Sequence, residues 1–320
     1  MTYSKSLQGY FVSGFYTPIV LLVASLVVWL VSLFLFSSKE QVILGVEVGA
    51  FTSVLLSFLF YVLSSFLLNG LNLLERRARW LPPLFLWLTA IYGAVSYDVK
   101  AALGILLLTV SLYLLMECQQ SALKERSLYS VFAVSGLSSL LLPEFLFLVP
   151  LYVIFLFISN IFNIKRFLAA LLGFVTPFWI VFGCAYVWPS LAWLSTSFKA
   201  TAIGLFTLGP FAFTTLDVVL LASMLLVMLP AIVMFLTSSV PSKPMLRHRM
   251  SFLVLLNVYI LIIAIVPFGV GRLAYAWLLP GITVMSTYIL SFKATRLSNC
   301  FFILLNIVWL ALYSYSIWTL

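Results

Sequence analysis

The chain has 320 residues, 64% of them hydrophobic and only 8% charged, with a formal net charge of +9 and a mean hydropathy of +1.22. A soluble domain uses roughly 45–50% apolar residues, so this composition excludes an ordinary water-soluble fold and predicts an integral membrane protein. Cys118, Cys184 and Cys300 are too scattered for a disulfide framework or a redox pair. The single histidine, His248, lies in the basic stretch KPMLRHR and reads as surface basicity, which excludes a histidine-ligated zinc, haem or iron site.

Hydrocarbon cannot hydrogen-bond a bare backbone, so a spanning helix needs about 20 mostly apolar residues. The first such run, PIVLLVASLVVWLVSLFLF (18–36), is too long for a signal-peptide core and is followed by no small-x-small cleavage site. It is expected to stay on the protein. Cutting at the charged and Pro/Gly interruptions predicts eleven spans, at 17–36, 49–74, 80–96, 101–117, 127–142, 144–162, 167–188, 216–237, 251–268, 273–291 and 300–319. The expectation is an all-α polytopic protein with one transmembrane domain over 1–320, without internal repeats and without a soluble domain between spans.

Basic residues gather in short cytoplasmic loops. With the N-terminus inside, the inner loops carry thirteen of the seventeen Lys and Arg but only Glu75, Glu117 and Glu125 of the eight acids. The outer side keeps Lys39, Lys100, Lys199 and Arg272 with Glu40, Glu47, Asp98, Glu144 and Asp217. This split predicts an inside N-terminus and an outside C-terminus, and it makes the positive charge a matter of orientation and anionic lipid contact, with no implication of nucleic-acid binding.

No acidic or basic residue falls near the middle of a span, which disfavours a proton- or sodium-driven transporter. The polar groups within spans, Ser135, Ser138, Ser139, Thr176, Asn257 and Asn306, are expected to join helices by hydrogen bonds. Chemistry is therefore expected at the outer face. There Glu40 directly follows the first span, and Glu144 follows Pro143 at the turn between spans five and six, where an acid meets the positive end of a helix dipole. In the outer segment 189–215, Leu191, Leu194, Phe198, Ala202 and Leu205 recur at helical spacing, with Ser195, Thr196 and Lys199 on other faces. That pattern predicts an amphipathic helix lying in the interface, anchored by Trp193.

The block LLPEFLFLVPLYVIFLFISNIFNIKRFLAALLGFVTPFWIVFGCAYVW (141–188) is similar to the central block of an uncharacterised family of bacterial polytopic inner-membrane proteins, in which an apolar hairpin, a short basic turn like NIKR and a helix reading LLGFVTPFW occur in this order. That likeness implies a multi-pass protein of a bacterial inner membrane and no activity. In GRLAYAWLLPG (271–281), Arg272, Tyr275 and Pro280 form the pattern basic-x-x-Tyr-x-x-x-x-Pro. With Glu40 in the first outer loop, this resembles the GT-C superfamily of polyprenyl-phosphate-sugar glycosyltransferases, whose first outer loop is longer and whose spans are followed by a large outer domain. The resemblance implies that Glu40 acts as base or metal ligand and that Arg272 holds the phosphate of a polyprenyl-phosphate donor. Arg272, Tyr275, Glu144 and Lys199 are the candidate substrate-binding residues. No metal site is assigned, and a divalent cation is implied only if sugar transfer occurs. Membrane lipid, a polyprenyl-phosphate lipid and a membrane-protein partner are the expected contacts. Two other functions stay open: a non-catalytic subunit or scaffold of an envelope complex, and a transporter or lipid flippase.

Overall fold

A backbone without water must pair its own amides, and each apolar run does so as a helix. The computed structural model describes residues 11, 14–36, 41–43, 46–48, 50–71, 80–92, 98–119, 124–187, 198, 215–237, 244–266, 273–291 and 296–318. Among these, eleven α-helices follow one another: α1 Thr17–Phe36, α2 Ala50–Gly70, α3 Leu81–Ile91, α4 Val99–Cys118, α5 Lys124–Leu141, α6 Val149–Ile158, α7 Ile164–Val187, α8 Thr215–Thr237, α9 Pro244–Ile265, α10 Leu273–Ser291 and α11 Arg296–Trp318. The fold is all-α apart from one short antiparallel ladder, β1 Gln41–Ile43 with β2 Val46–Val48, in which Ile43 lies opposite Val46. Six segments are long and apolar enough to cross a membrane by length and composition: Phe51–Gly70, Val99–Cys118, Ile164–Val187, Asp217–Thr237, Leu246–Ile265 and Leu273–Leu290. Together they mark a membrane-embedded protein.

Prolines account for one departure from the predicted elements. The expected span 144–162 is a 3-10 helix, Pro143–Leu148, followed by the ten-residue α6. Pro150 sits in the first turn of α6, where its missing N–H costs least, so a fresh helix starts there. The Phe147 carbonyl, which Pro150 three residues on cannot serve, accepts 2.6 Å from the Tyr259 hydroxyl.

The chain divides into two compact units. The first holds Met1–Ile105, Ala212–Ser242 and Tyr275–Leu320. There Phe11 packs on Trp80 and Phe302, at 5.7 and 5.0 Å between ring centroids, so the approach to α1, the residue that caps α3 and the second turn of α11 come together. Tyr92, closing α3, shares a 2.9 Å hydrogen bond with Ser223 in the N-terminal half of α8. Phe235 and Tyr288 bring the last turns of α8 and α10 together at 6.3 Å.

The second unit holds Leu106–Phe211 and Lys243–Ala274. Glu125 at the start of α5 pairs with Arg166 at the start of α7, 3.2 Å apart, and Gln119 just past α4 donates 2.9 Å to Ser159 just past α6. Consecutive helices from α4 to α7 therefore reverse direction, and α5 and α7 run parallel. Glycine lets those two backbones meet. A Cβ on Gly136 would lie 2.5 Å from the Phe174 carbonyl oxygen, and one on Gly173 would press on the carbonyl of Tyr129. The Tyr129 hydroxyl then reaches Thr176 at 3.1 Å. Small residues at such a seam are the usual means of close helix packing in lipid.

Three glycines test this seam. Gly136→Val and Gly173→Val are each expected to cost about 1–3 kcal/mol or more by overpacking. Gly183→Ala, where a Cβ meets nothing within 4 Å, should be neutral or gain up to about 1 kcal/mol of helix propensity. Thermal unfolding of the detergent-solubilised protein separates these outcomes.

Candidate functional site

Glu40, Lys199 and Arg272 lie outside the described residues, as does the predicted interfacial helix except for Phe198. Phe198 is half-buried against Phe178 and Phe182 of α7, with ring centroids 5.3 and 6.2 Å away. Glu144 is half-buried in the first turn of the six-residue 3-10 helix and not at the head of a long α-helix, so the dipole expected to hold it is correspondingly short. Glu144 belongs to the second unit and Tyr275 to the first.

Tyr275 and Pro280 fall in the first two turns of α10, and Arg272 immediately precedes its first residue, Leu273. Residues 274–287 of this helix are all buried, which leaves Tyr275 only 3% exposed. Five residues at 100° each put Tyr275 and Pro280 about 140° apart around the axis, so the pattern does not present them on one face. Pro280 removes an amide from the ladder. Below it, Thr283, Ser286 and Thr287 donate to the carbonyls of Leu279, Ile282 and Thr283, each at 2.7 Å.

The expected interhelical hydrogen bonds need correction. Ser135, Ser138, Ser139, Asn257 and Asn306 donate to the carbonyls of Val131, Val134, Ser135, Leu253 and Phe302, each four residues back in its own helix. Four residues is one turn, and the nearest carbonyl captures a short side chain before a neighbouring helix can. Only Thr176 of that set bridges helices, through Tyr129. Longer side chains do the joining. Tyr152 reaches Ser111 at 2.6 Å, beside the Tyr92–Ser223 and Tyr259–Phe147 bonds already described.

A further correction concerns Arg249. Pro244–Arg249 of the KPMLRHR stretch form the start of α9, and Arg249 is buried at 5% exposure. Its Nη2 donates 2.7 Å to the Met116 carbonyl in the last turn of α4, and its Nε donates 3.1 Å to Gln119 Oε1. The last carbonyls of a helix lack intrahelical donors and form its negative end, which suits a cation there. Proline as first helical residue was the available sequence signal. Nearby, Glu125 is exposed, and its carboxyl is held below the usual range first by its own backbone amide and then by Arg166.

Among the described residues no group of three or more His, Cys, Asp or Glu is placed to hold a metal ion. Comparison of the chain with family models, with curated proteins and with solved structures gives no match.

Arg249→Ala is expected to lower stability by about 3 kcal/mol, because hydrogen bonds to charged groups are worth about 1.5–3 kcal/mol and the Met116 carbonyl and Gln119 lose their donor. Arg247→Ala, at an exposed position two residues away, should stay within about 0.5 kcal/mol. Denaturation midpoints of the purified variants check the difference.

Proposed function

We propose that this chain is a multi-pass protein of a bacterial inner membrane with eleven spans, an inside N-terminus and an outside C-terminus, and that it handles a polyprenyl-phosphate-linked sugar at its outer face. The alternating helix directions within each unit and the split of basic residues between alternate loops support the orientation. The observation that carries the lipid-linked reading is the position of Arg272 in the chain, directly before an enclosed nineteen-residue helix. A helix N-terminus offers free amides and a positive dipole end, and a guanidinium beside it adds a planar fork for phosphate oxygens. In this reading Arg272 would hold the donor phosphate, and Glu40 would take the proton of the acceptor hydroxyl as that oxygen bonds to the sugar carbon and the polyprenyl phosphate leaves.

A second reading, a non-catalytic subunit of an envelope complex, is favoured by α7. Ala170 and Gly173 are its buried residues, while Leu172, Trp179 and Tyr186 stand 62%, 77% and 90% exposed. A partner helix would cover that surface as well as lipid does.

Binding of a polyprenyl phosphate to the purified protein at fixed salt separates the two. Arg272→Lys should keep part of the affinity. Arg272→Gln should lose about tenfold or more, the equivalent of one charge-assisted hydrogen bond. Equal binding by all three proteins would remove the sugar-transfer reading and leave the subunit reading.

Topology is tested on its own. A periplasm-active reporter fused after Leu320 should be active, and the same reporter inserted at 243–249 should be silent. A silent C-terminal fusion contradicts the eleven-span count.

A further inference from the structure

The turn between α6 and α7 is tightly closed by its own backbone. Asn160 takes the left-handed conformation at φ 52°, and three amides fold back over the end of α6: Asn160 N to the Phe157 carbonyl at 3.1 Å, and Ile161 N and Phe162 N to the Leu156 carbonyl at 3.0 and 3.1 Å. These bonds satisfy terminal carbonyls that would otherwise lack donors. Arg166 then locks the turn from the far side, donating 3.0 Å from Nη1 to the Ile161 carbonyl and 3.2 Å from Nε to Glu125. The result is a rigid corner with its internal charges already paired.

This corner holds out an aromatic ladder. Phe157 and Phe162 stack at 4.2 Å with planes 17° apart, and Phe162 continues to Phe167 at 6.0 Å. All three are exposed, at 54%, 42% and 37%. A stacked aromatic set left open beside an exposed cation, Lys165, is chemically two-sided: apolar area for acyl chains and a charge for a headgroup. The other charged groups at this end of the unit, among the described residues, are Lys124, Arg126 and Arg247, which add to the positive field, Arg249, which the Met116 carbonyl and Gln119 hold, Glu117, and Glu125, which Arg166 occupies.

We infer that the α6–α7 turn is a docking site for an anionic phospholipid, with the phosphate at Lys165 and the acyl chains along Phe157, Phe162 and Phe167. The inference rests on the membrane orientation proposed above, which turns this corner toward the cytoplasmic leaflet, where anionic lipids concentrate. Lys165 opens the first turn of α7, so the helix dipole and the ammonium favour the same anion. Charge complementarity selects the occupant: a zwitterionic headgroup brings its own cation against Lys165, whereas a phosphatidylglycerol headgroup does not.

The full-length protein in a nonionic detergent is titrated with short-chain phosphatidylglycerol, short-chain phosphatidylcholine and soluble glycerol phosphate, with the unfolding midpoint as readout. Phosphatidylglycerol should stabilise the wild type at lower concentration than phosphatidylcholine does. Lys165→Gln should weaken that response by about fivefold, the worth of one basic residue at an anionic surface. Phe162→Ala should weaken both lipid responses, and Lys100→Gln, an exposed cation elsewhere, should leave them intact. The inference is overturned if Lys165→Gln responds as wild type, if the two lipids act alike, or if glycerol phosphate acts as well as phosphatidylglycerol. Reconstitution keeps the premise separate. Entry into phosphatidylcholine vesicles without a phosphatidylglycerol preference overturns this site alone, whereas failure to enter either vesicle overturns the membrane placement beneath it.

Discussion

An amide left unpaired in hydrocarbon costs several kcal/mol, and the rest of this structure follows from avoiding that cost. Each apolar run closes its own hydrogen bonds as a helix, and within the second unit the helices from α4 to α7 reverse direction one after another. The same constraint governs the polar side chains. Short hydroxyls and amides on α5, α9, α10 and α11 turn back to their own helix. Tyrosine hydroxyls and one buried arginine are long enough to reach across.

Two kinds of packing then hold the helices. Along α5 and α7 the backbones approach through Gly136 and Gly173, so dispersion at close range does the work. In the first unit large side chains interlock instead: Trp29 meets Phe58 and Tyr61 at 5.6 Å, and Tyr61 meets Phe85 at 6.2 Å. The glycine seam uses one face of α7, Phe178 and Phe182 meet Phe198, and Leu172, Trp179 and Tyr186 stand exposed. That open surface gives α7 its meaning in each functional reading, since lipid, a partner helix or a docked headgroup all need a helix that its own neighbours do not enclose.

The helices were legible in the sequence because long apolar runs have only one way to pair their backbone in lipid. Each predicted span overlaps one of the eleven helices among the described residues, and six of these provide segments long and apolar enough to cross a membrane. Their ends were less legible where prolines act: Pro150 splits the predicted sixth span into a 3-10 helix and α6, and Pro244 starts α9 seven residues before the predicted boundary, carrying Arg249 inward. Side-chain partners were hardest to read, because whether Ser138 bonds its own turn or a neighbour depends on a helix position that no local pattern encodes. Of the candidate site, the pattern Arg272, Tyr275, Pro280 identified the head of α10, but no local pattern signalled that Tyr275 would be buried at 3% exposure.

The central claim is that these reversing helices cross a bilayer, and α4 is the most direct place to measure it. Asp98 is exposed just before α4, with its Oδ1 accepting 3.0 Å from the Lys100 amide, and Glu125 is exposed just after it, at the start of α5. In a cysteine-free background, single cysteines at these two positions are treated with an impermeant thiol reagent on intact spheroplasts and again after the membrane is opened. The account predicts that Asp98→Cys labels in both conditions and Glu125→Cys only after opening. Labelling of both in intact spheroplasts, or of Glu125→Cys alone, would contradict it.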